Sequence, residues 1–311
     1  MAQADYKKES VSLIVTIFNE AQTLPDFLQS LAQQSRLPEE LVICDAASED
    51  KSQQIVRDFA KKAPFPVELI VKASTRSVGR NLAAKKAKGQ WLAITDAGTI
   101  VDRDWLKELL KKAAAKKVPL VAGYYRAQSE TKLQAAIAPY FMVTPNRLDE
   151  TKFLPATRSM LIKKSLWEEV GGMDESLDYA EDYPLAKKLE AKGVKMAFAK
   201  EAIVNWLPPK TIESFFKTIL ATAQYDVIAK VIRPKIYLVF ARYLIFLLIL
   251  LFFGNFYLIF LLIMLYFLWS IAKNYLNCKQ AWFYLPLLQV LADLAVMLGS
   301  LLGLIQTRQQ A

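Results

Sequence analysis

Residues 76–106, RSVGRNLAAKKAKGQWLAITDAGTIVDRDWL, decide how this chain folds. Leu82, Ala83 and Ala87 give the first part an apolar helix face, Gly89 turns the chain, and Trp91 to Thr95 reads as a buried strand. That strand delivers Asp96 into a loop. In open α/β sheets, ligands bind just beyond the carboxyl ends of the strands, so a carboxylate there is placed for chemistry. A second role stays open for Asp96, as a turn residue or the cap of the helix that opens near Asp104, because Asp favours both positions.

The same alternation precedes this stretch. Ser12 to Ile17 is an apolar run ended by Asn19 and Glu20, Leu24, Phe27, Leu28 and Leu31 recur at helical spacing, and Leu41 to Cys44 is a second strand ending at Asp45. Ser48, Glu49 and Asp50 open a second helix with Ile55, Val56 and Phe59 inside, and Val67 to Val71 is a third strand. Strands alternating with helices predict an α/β fold with a mostly parallel central sheet. Asp45 and Asp96 each follow a strand, so both should face one crevice. Neither G-x-G-x-x-G nor G-x-x-x-x-G-K-S/T occurs, which speaks against a dinucleotide cofactor or a P-loop.

Composition divides the 311 residues, 54% of them hydrophobic, into two regions, because the apolar excess is concentrated after Ile236. The formal charge is +10, but lysines such as Lys85, Lys86, Lys107, Lys111 and Lys116 are dispersed over helix faces. Beside a membrane region, that charge suits anionic lipid headgroups better than nucleic acid. There is no His, so acid–base and metal chemistry must rest mainly on carboxylates. Cys44 lies in an apolar strand and Cys278 beside a membrane segment, with no C-x-x-C spacing, so neither a disulfide framework nor a zinc site is supported. The opening MAQADYKKES lacks the apolar core of a signal peptide, which points to a cytoplasmic first domain.

VSLIVTIFNE (11–20), LVICDAASED (41–50), GRN (79–81), TDAG (95–98) and GGMDESLDYAED (171–182) occur in an order and spacing that resemble the family 2 inverting glycosyltransferases. The resemblance covers roughly the first two thirds of the chain. It implies a GT-A nucleotide-sugar-binding domain in which Thr16, Phe18 and Glu20 border the nucleotide pocket, Asp45 bonds the base, and Asp96 sits at the ribose and diphosphate. Arg76, Arg80, Asn81 and Arg158 belong to the implied donor site. The resemblance makes Asp182 the general base that takes the acceptor's proton, with Glu181 orienting its loop. The residues alone also allow Asp182 to be an N-cap and Asp45 a turn residue.

One departure concerns the metal. The family's D-x-D signature uses its second carboxylate to bind a divalent ion, and here Gly98 stands in that place. Either Asp96 alone holds Mg or Mn through water and diphosphate oxygens, or Arg76, Arg80 or Arg158 supplies the positive charge. The Q-x-x-R-W signature of processive relatives is absent near Trp206, which disfavours synthesis of a long polymer.

Residues 1–210 are thus expected to form the GT-A domain, 211–235 an amphipathic interfacial helix and linker, and 236–311 a transmembrane region of about three spans. Within the first, residues 130–154, with Pro139 and Pro145, read as irregular turns around one helix. In the second, Ile212, Phe215, Phe216, Ile219, Ala223 and Val227 form a stripe for a headgroup surface or for packing on the globular domain. Ile236 to Phe253 would cover roughly 27 Å as a helix. Phe256 to Ala272 returns, and Ala281 to Ile305 is a third span interrupted by Pro286. Basic flanks predict a multi-pass protein of the cell membrane with its catalytic domain in the cytoplasm. Arg242, inside a span, either snorkels to the interface, pairs with Asp293 or receives a lipid phosphate.

The expected function is transfer of a sugar from a nucleotide-sugar donor to a membrane-associated acceptor, a glycolipid or polyprenyl-linked glycan, in cell-surface glycan synthesis. Its rivals are transfer to polyprenyl phosphate itself and a non-catalytic, membrane-bound nucleotide-sugar-binding protein. No nucleic-acid partner is expected.

Overall fold

Strand β1 (Val11–Ile17) lies inside the sheet with both faces covered, which is why its sequence is an apolar run rather than an alternation. Its neighbours, both parallel, are β2 (Glu40–Asp45) and β4 (Trp91–Ile94), and β3 (Val67–Val71) pairs in parallel beyond β2. The computed structural model describes residues 9–309; residues 1–8, most of the stretch read for a signal peptide, and 310–311 lie outside the described residues. The pleat splits β1 between two cores. Val11, Leu13, Val15 and Ile17 join Phe27, Val56 and Trp105, while Ile14 joins Val42, Leu92 and Trp167.

The expected parallel arrangement holds from β3 to β4. Beyond β4 the pairing reverses: β7 (Met160–Lys163) is antiparallel to β4 and to β6 (Leu120–Ala127), and β8 (Met196–Trp206) is antiparallel to β5 (Thr99–Val101). The result is a mixed eight-stranded sheet in the order β3-β2-β1-β4-β7-β6-β8-β5.

Helices α1 (Leu24–Ala32), α2 (Ser52–Ala60), α3 (Arg76–Lys86) and α4 (Trp105–Lys116) pack on this sheet. Thr75 caps α3 by accepting from Val78 N–H at 3.2 Å. A Cβ at Gly79 would lie 2.8 Å from Thr16 Cγ2, so glycine lets the start of α3 press against the carboxyl end of β1. Two further helices, α6 (Lys164–Glu169) and α7 (Asp182–Ala191), follow β7.

The chain divides into two compact units. One runs up to Arg126 and resumes over Asn146–Trp206; the other comprises Ala127–Pro145 and the chain from Leu207 onward. The second unit holds α5 (Lys132–Ile137), α8 (Ile212–Ile228), α9 (Pro234–Phe253), α10 (Phe256–Asn274) and α11 (Leu285–Gln309). Three of its helical segments, Pro234–Phe252, Phe256–Asn277 and Lys279–Gln309, are long and apolar enough to cross a membrane. Pro286, expected to interrupt the third span, falls in the first turn of α11, just after a 3-10 segment over Lys279–Tyr284.

The stripe of α8 has its partner within this unit. Phe215, Ile219, Ala223 and Val227 are buried as α8 runs along α11, and a Cβ at Gly303 would lie 2.5 Å from the Gln224 carbonyl oxygen. Within the same unit Arg242 pairs with Asp293.

Candidate active site

The loops leaving β1 and β2 are stitched together. Asn19 N–H donates to Ser48 Oγ, Glu20 N–H to Ser52 Oγ and Glu49 N–H to Asn19 Oδ1, each at 2.9 Å. Asn19 and Ala47 hold left-handed φ angles of 54° and 65°, conformations that persist only where the surroundings over-determine them. Asp45, in register with Ile17, is fully buried. Its Oδ1 accepts from Ser48 N–H at 2.6 Å and Gln53 Nε2 at 3.3 Å, whereas its Oδ2 is buried without a hydrogen-bond partner. An acceptor buried without a partner is uncommon, because its desolvation goes uncompensated. Thr16 is half-buried beside Cys44, Phe18 is exposed, and Glu20 Oε2 accepts from Thr23 Oγ1 at 2.6 Å. Burial pushes the Cys44 thiol up, away from thiolate chemistry.

Asp96 follows the end of β4, at the same carboxyl ends of the parallel strands where Asp45 closes β2. It is not the cap of α4, a position taken by Asp104. Instead Oδ1 accepts from Arg80 Nη2 at 2.8 Å and Oδ2 from Arg158 Nε at 3.3 Å. Burial pushes the Asp96 carboxyl up, but the guanidiniums of Arg80, Arg158 and Arg76 outweigh it and hold it below its ordinary value. Arg158 is fixed in turn by stacking, with Cζ 4.9 Å from the Tyr125 ring centre and 4.5 Å from that of Trp206. Arg80 is buried, and its Nη1 donates to Glu181 Oε1.

Glu181 and Asp182 arrive on a segment that α3 holds in place. Ser77 Oγ donates to the Leu177 carbonyl at 2.7 Å, Asn81 Nδ2 to the Met173 carbonyl at 2.9 Å, and Met173 N–H returns to Asn81 Oδ1 at 2.9 Å. The Arg76 guanidinium lies 5.4 Å from the Tyr179 ring centre. Ala180 takes a left-handed φ of 55°, and Asp182 is then the first residue of α7. The cap position read for Asp182 falls to Glu181, whose side chain makes no cap bond.

The structure thus gathers Asp96, Arg80, Arg158, Glu181 and Asp182 around one network, with Arg76 near it. Arg80 and Asn81, implied at the nucleotide, are engaged in holding the loop that carries Asp182. Ser77, Tyr125 and Tyr179 escaped the sequence reading. The paired aromatics before Arg126 were a visible signal for Tyr125; an isolated serine gave none.

The residues present do not fit a divalent ion held by Asp96. Gly98 brings no carboxylate, although a Cβ there would stand 3.8 Å from Glu20 Oε2 in ordinary contact. Both Asp96 oxygens face guanidiniums, whose charge repels a cation, and among the described residues no group of three or more His, Cys, Asp or Glu could hold a metal.

Residues 12–170 match the family model described as glycosyl transferase family 2. The O-antigen chain rhamnosyltransferase RfbN of Salmonella typhimurium is 25% identical over 224 residues, covering 67% of this chain and 71% of the relative. A poly-beta-1,6-N-acetyl-D-glucosamine synthase of Staphylococcus epidermidis is 25% identical over 241 residues, covering 73% of this chain and 58% of its own length. Among solved structures, the mannosyltransferase PcManGT from Pyrobaculum calidifontis, in complex with GDP-Man and Mn2+, is similar with a TM-score of 0.59 at 25% identity, covering 71% of this chain and 64% of that one. The chain therefore spans less than two thirds of the length of the last two.

Proposed function

The chain belongs to glycosyl transferase family 2, and from that premise we propose a membrane-anchored inverting enzyme that moves a sugar from a nucleoside diphosphate donor to a hydroxyl of a lipid-linked glycan or glycolipid. The observation that carries this reading is Asp182 at the head of α7, on a loop that Arg80 ties to Asp96 through Glu181.

In this reading the Asp45 Oδ2 acceptor takes a ring N–H of the donor's base, which uracil and guanine present. Asp182 accepts the proton of the acceptor hydroxyl while that oxygen attacks the anomeric carbon. The bond from that carbon to the diphosphate oxygen breaks, its electron pair leaves with the nucleoside diphosphate, and attack from the opposite face inverts the centre. The three apolar helical segments support anchoring where a lipid-linked acceptor resides, and Lys230 and Arg233 ahead of the first, with Lys235 at its start, support a cytoplasmic site. The similarity to an O-antigen chain rhamnosyltransferase supports a cell-envelope glycan as product.

Nucleoside diphosphate release from a panel of nucleotide sugars, by the detergent-purified chain with lipid extract, tests the reading. Release is expected to require lipid and to fall at least about 100-fold in Asp182→Asn. Donor binding without release in any extract would favour the non-catalytic binding protein.

A further inference from the structure

We propose that Arg158, assisted by Arg76, meets the donor's diphosphate in the role usually given to a divalent cation, so that transfer at this site needs no metal at Asp96. The inference rests on the glycosyltransferase reading of the same site.

The leaving nucleoside diphosphate gains one negative charge when the bond to the anomeric carbon breaks, and some positive charge must face it. At Asp96 the means of fixing a cation is missing, since Gly98 carries no carboxylate and the Asp96 oxygens bond Arg80 and Arg158. Asp96 is therefore placed as an orienter of guanidiniums. Arg80 cannot serve the donor, because its side chain is 4% exposed and its Nη1 and Nη2 are held by Glu181 and Asp96.

Arg158 differs in each respect. Its side chain is 25% exposed, and it bonds Asp96 through Nε alone. With Nε fixed and the guanidinium stacked on Tyr125 and Trp206, the Nη edge is presented in a set direction. A planar fork of this kind matches two phosphate oxygens, which a lysine ammonium does not. Arg76, exposed at the first position of α3, adds a second guanidinium close enough to act on Asp96. In the transfer step both arginines donate hydrogen bonds to phosphate oxygens and keep their protons.

Uridine and guanosine diphosphates, titrated calorimetrically into the detergent-purified chain in EDTA and in Mn2+, test the proposal. Arg158→Ala and Arg158→Lys are run beside the parent, with thermal melting to establish folding. Removing metal should change the affinity of the tighter diphosphate by less than about twofold, and Arg158→Ala should weaken it about 10- to 100-fold. Arg158→Lys should recover only part, and it decides the matter if the alanine variant does not fold. Binding that requires Mn2+, or that is unchanged in the folded variants, overturns the proposal. Diphosphate release under the same conditions separates the two readings. Release in Mn2+ that stops in EDTA overturns the arginine role and leaves the transferase standing. Tight binding in EDTA with no release from any nucleotide sugar supports the arginine role and counts against the transferase, and failure of both diphosphates to bind overturns both.

Discussion

The Arg80 guanidinium donates from Nη1 to Glu181 Oε1 between two buried side chains that lie 101 positions apart in the chain. Its Nη2 reaches Asp96 Oδ1 at 2.8 Å, so one side chain sets the spacing of the two carboxylate loops of the site. Removing one member of a buried ionic group leaves the others uncompensated, at about 3–5 kcal/mol. Arg80→Ala is expected to lose stability of that order and most diphosphate release. Arg80→Lys should recover part of the stability, since an ammonium lacks the fork that serves two carboxylates at once. Chemical denaturation of the purified variants measures this; an Arg80→Ala protein as stable as the parent would remove the bridge from the account.

Acid should act through the same network. The Asp96 carboxyl is depressed in the folded protein, so its contribution to stability is complete above the unfolded carboxylate value of about 3.9 and is lost as the pH falls through the lower folded value. Melting temperatures recorded from about pH 6 down to about pH 3 should fall more steeply at the acid end for the parent than for Asp96→Asn. Parallel curves would mean that Asp96 is not differentially stabilised by its arginines.

How much of this could be read beforehand depended on where the information lay. Strands β1, β2 and β4 are covered on both faces, so each is an apolar run recognisable alone, and Asp45 and Asp96 follow from where those runs end. β5 is three residues long, too short to show a period, and its partner β8 lies a hundred positions away. The reversal of the sheet at β7 is likewise a matter of long-range pairing. Arg80 stands in sequence like any phosphate ligand. Only tertiary structure turns it toward two carboxylates. The α8 stripe was visible but its partner was not, although Gly299 and Gly303, four apart on an apolar helix, carried the signal.

Asp45→Asn should separate nucleotide recognition from folding. An amide keeps an oxygen for Ser48 N–H but turns an N–H where the unpartnered Oδ2 now stands, so it meets a ring N–H donor to donor. Affinity for uridine or guanosine diphosphate should fall about 10- to 100-fold at an unchanged melting temperature. Equal affinity in calorimetry would place the base elsewhere.

At Gly303 even a methyl group should be felt. Its Cβ would meet the Gln224 carbonyl oxygen at 2.5 Å and Val227 Cβ at 2.9 Å, contacts that only separation of α8 from α11 can relieve. Gly303→Ala is expected to destabilise by about 1–3 kcal/mol, and Gly303→Leu by more, with faster proteolysis within residues 212–231. A leucine variant with parental cleavage kinetics would mean that the close crossing does not exist.

Asp293 joins the three apolar helices. It accepts from Arg242 on α9, from Tyr266 OH on α10 at 2.6 Å, and from Gln289 Nε2 on its own helix at 2.9 Å. An ionisable residue left alone at the centre of a span costs about 2.5–3.5 kcal/mol, so Arg242→Leu and Asp293→Leu should each be strongly destabilising. The double variant removes both charges and should recover much of the loss, because apolar replacement of a buried pair is often neutral. This cycle also decides what Arg242 is for. If its role is the pair, the folded double variant keeps lipid-dependent diphosphate release; if Arg242 instead grips a lipid phosphate, the double variant folds and loses that release.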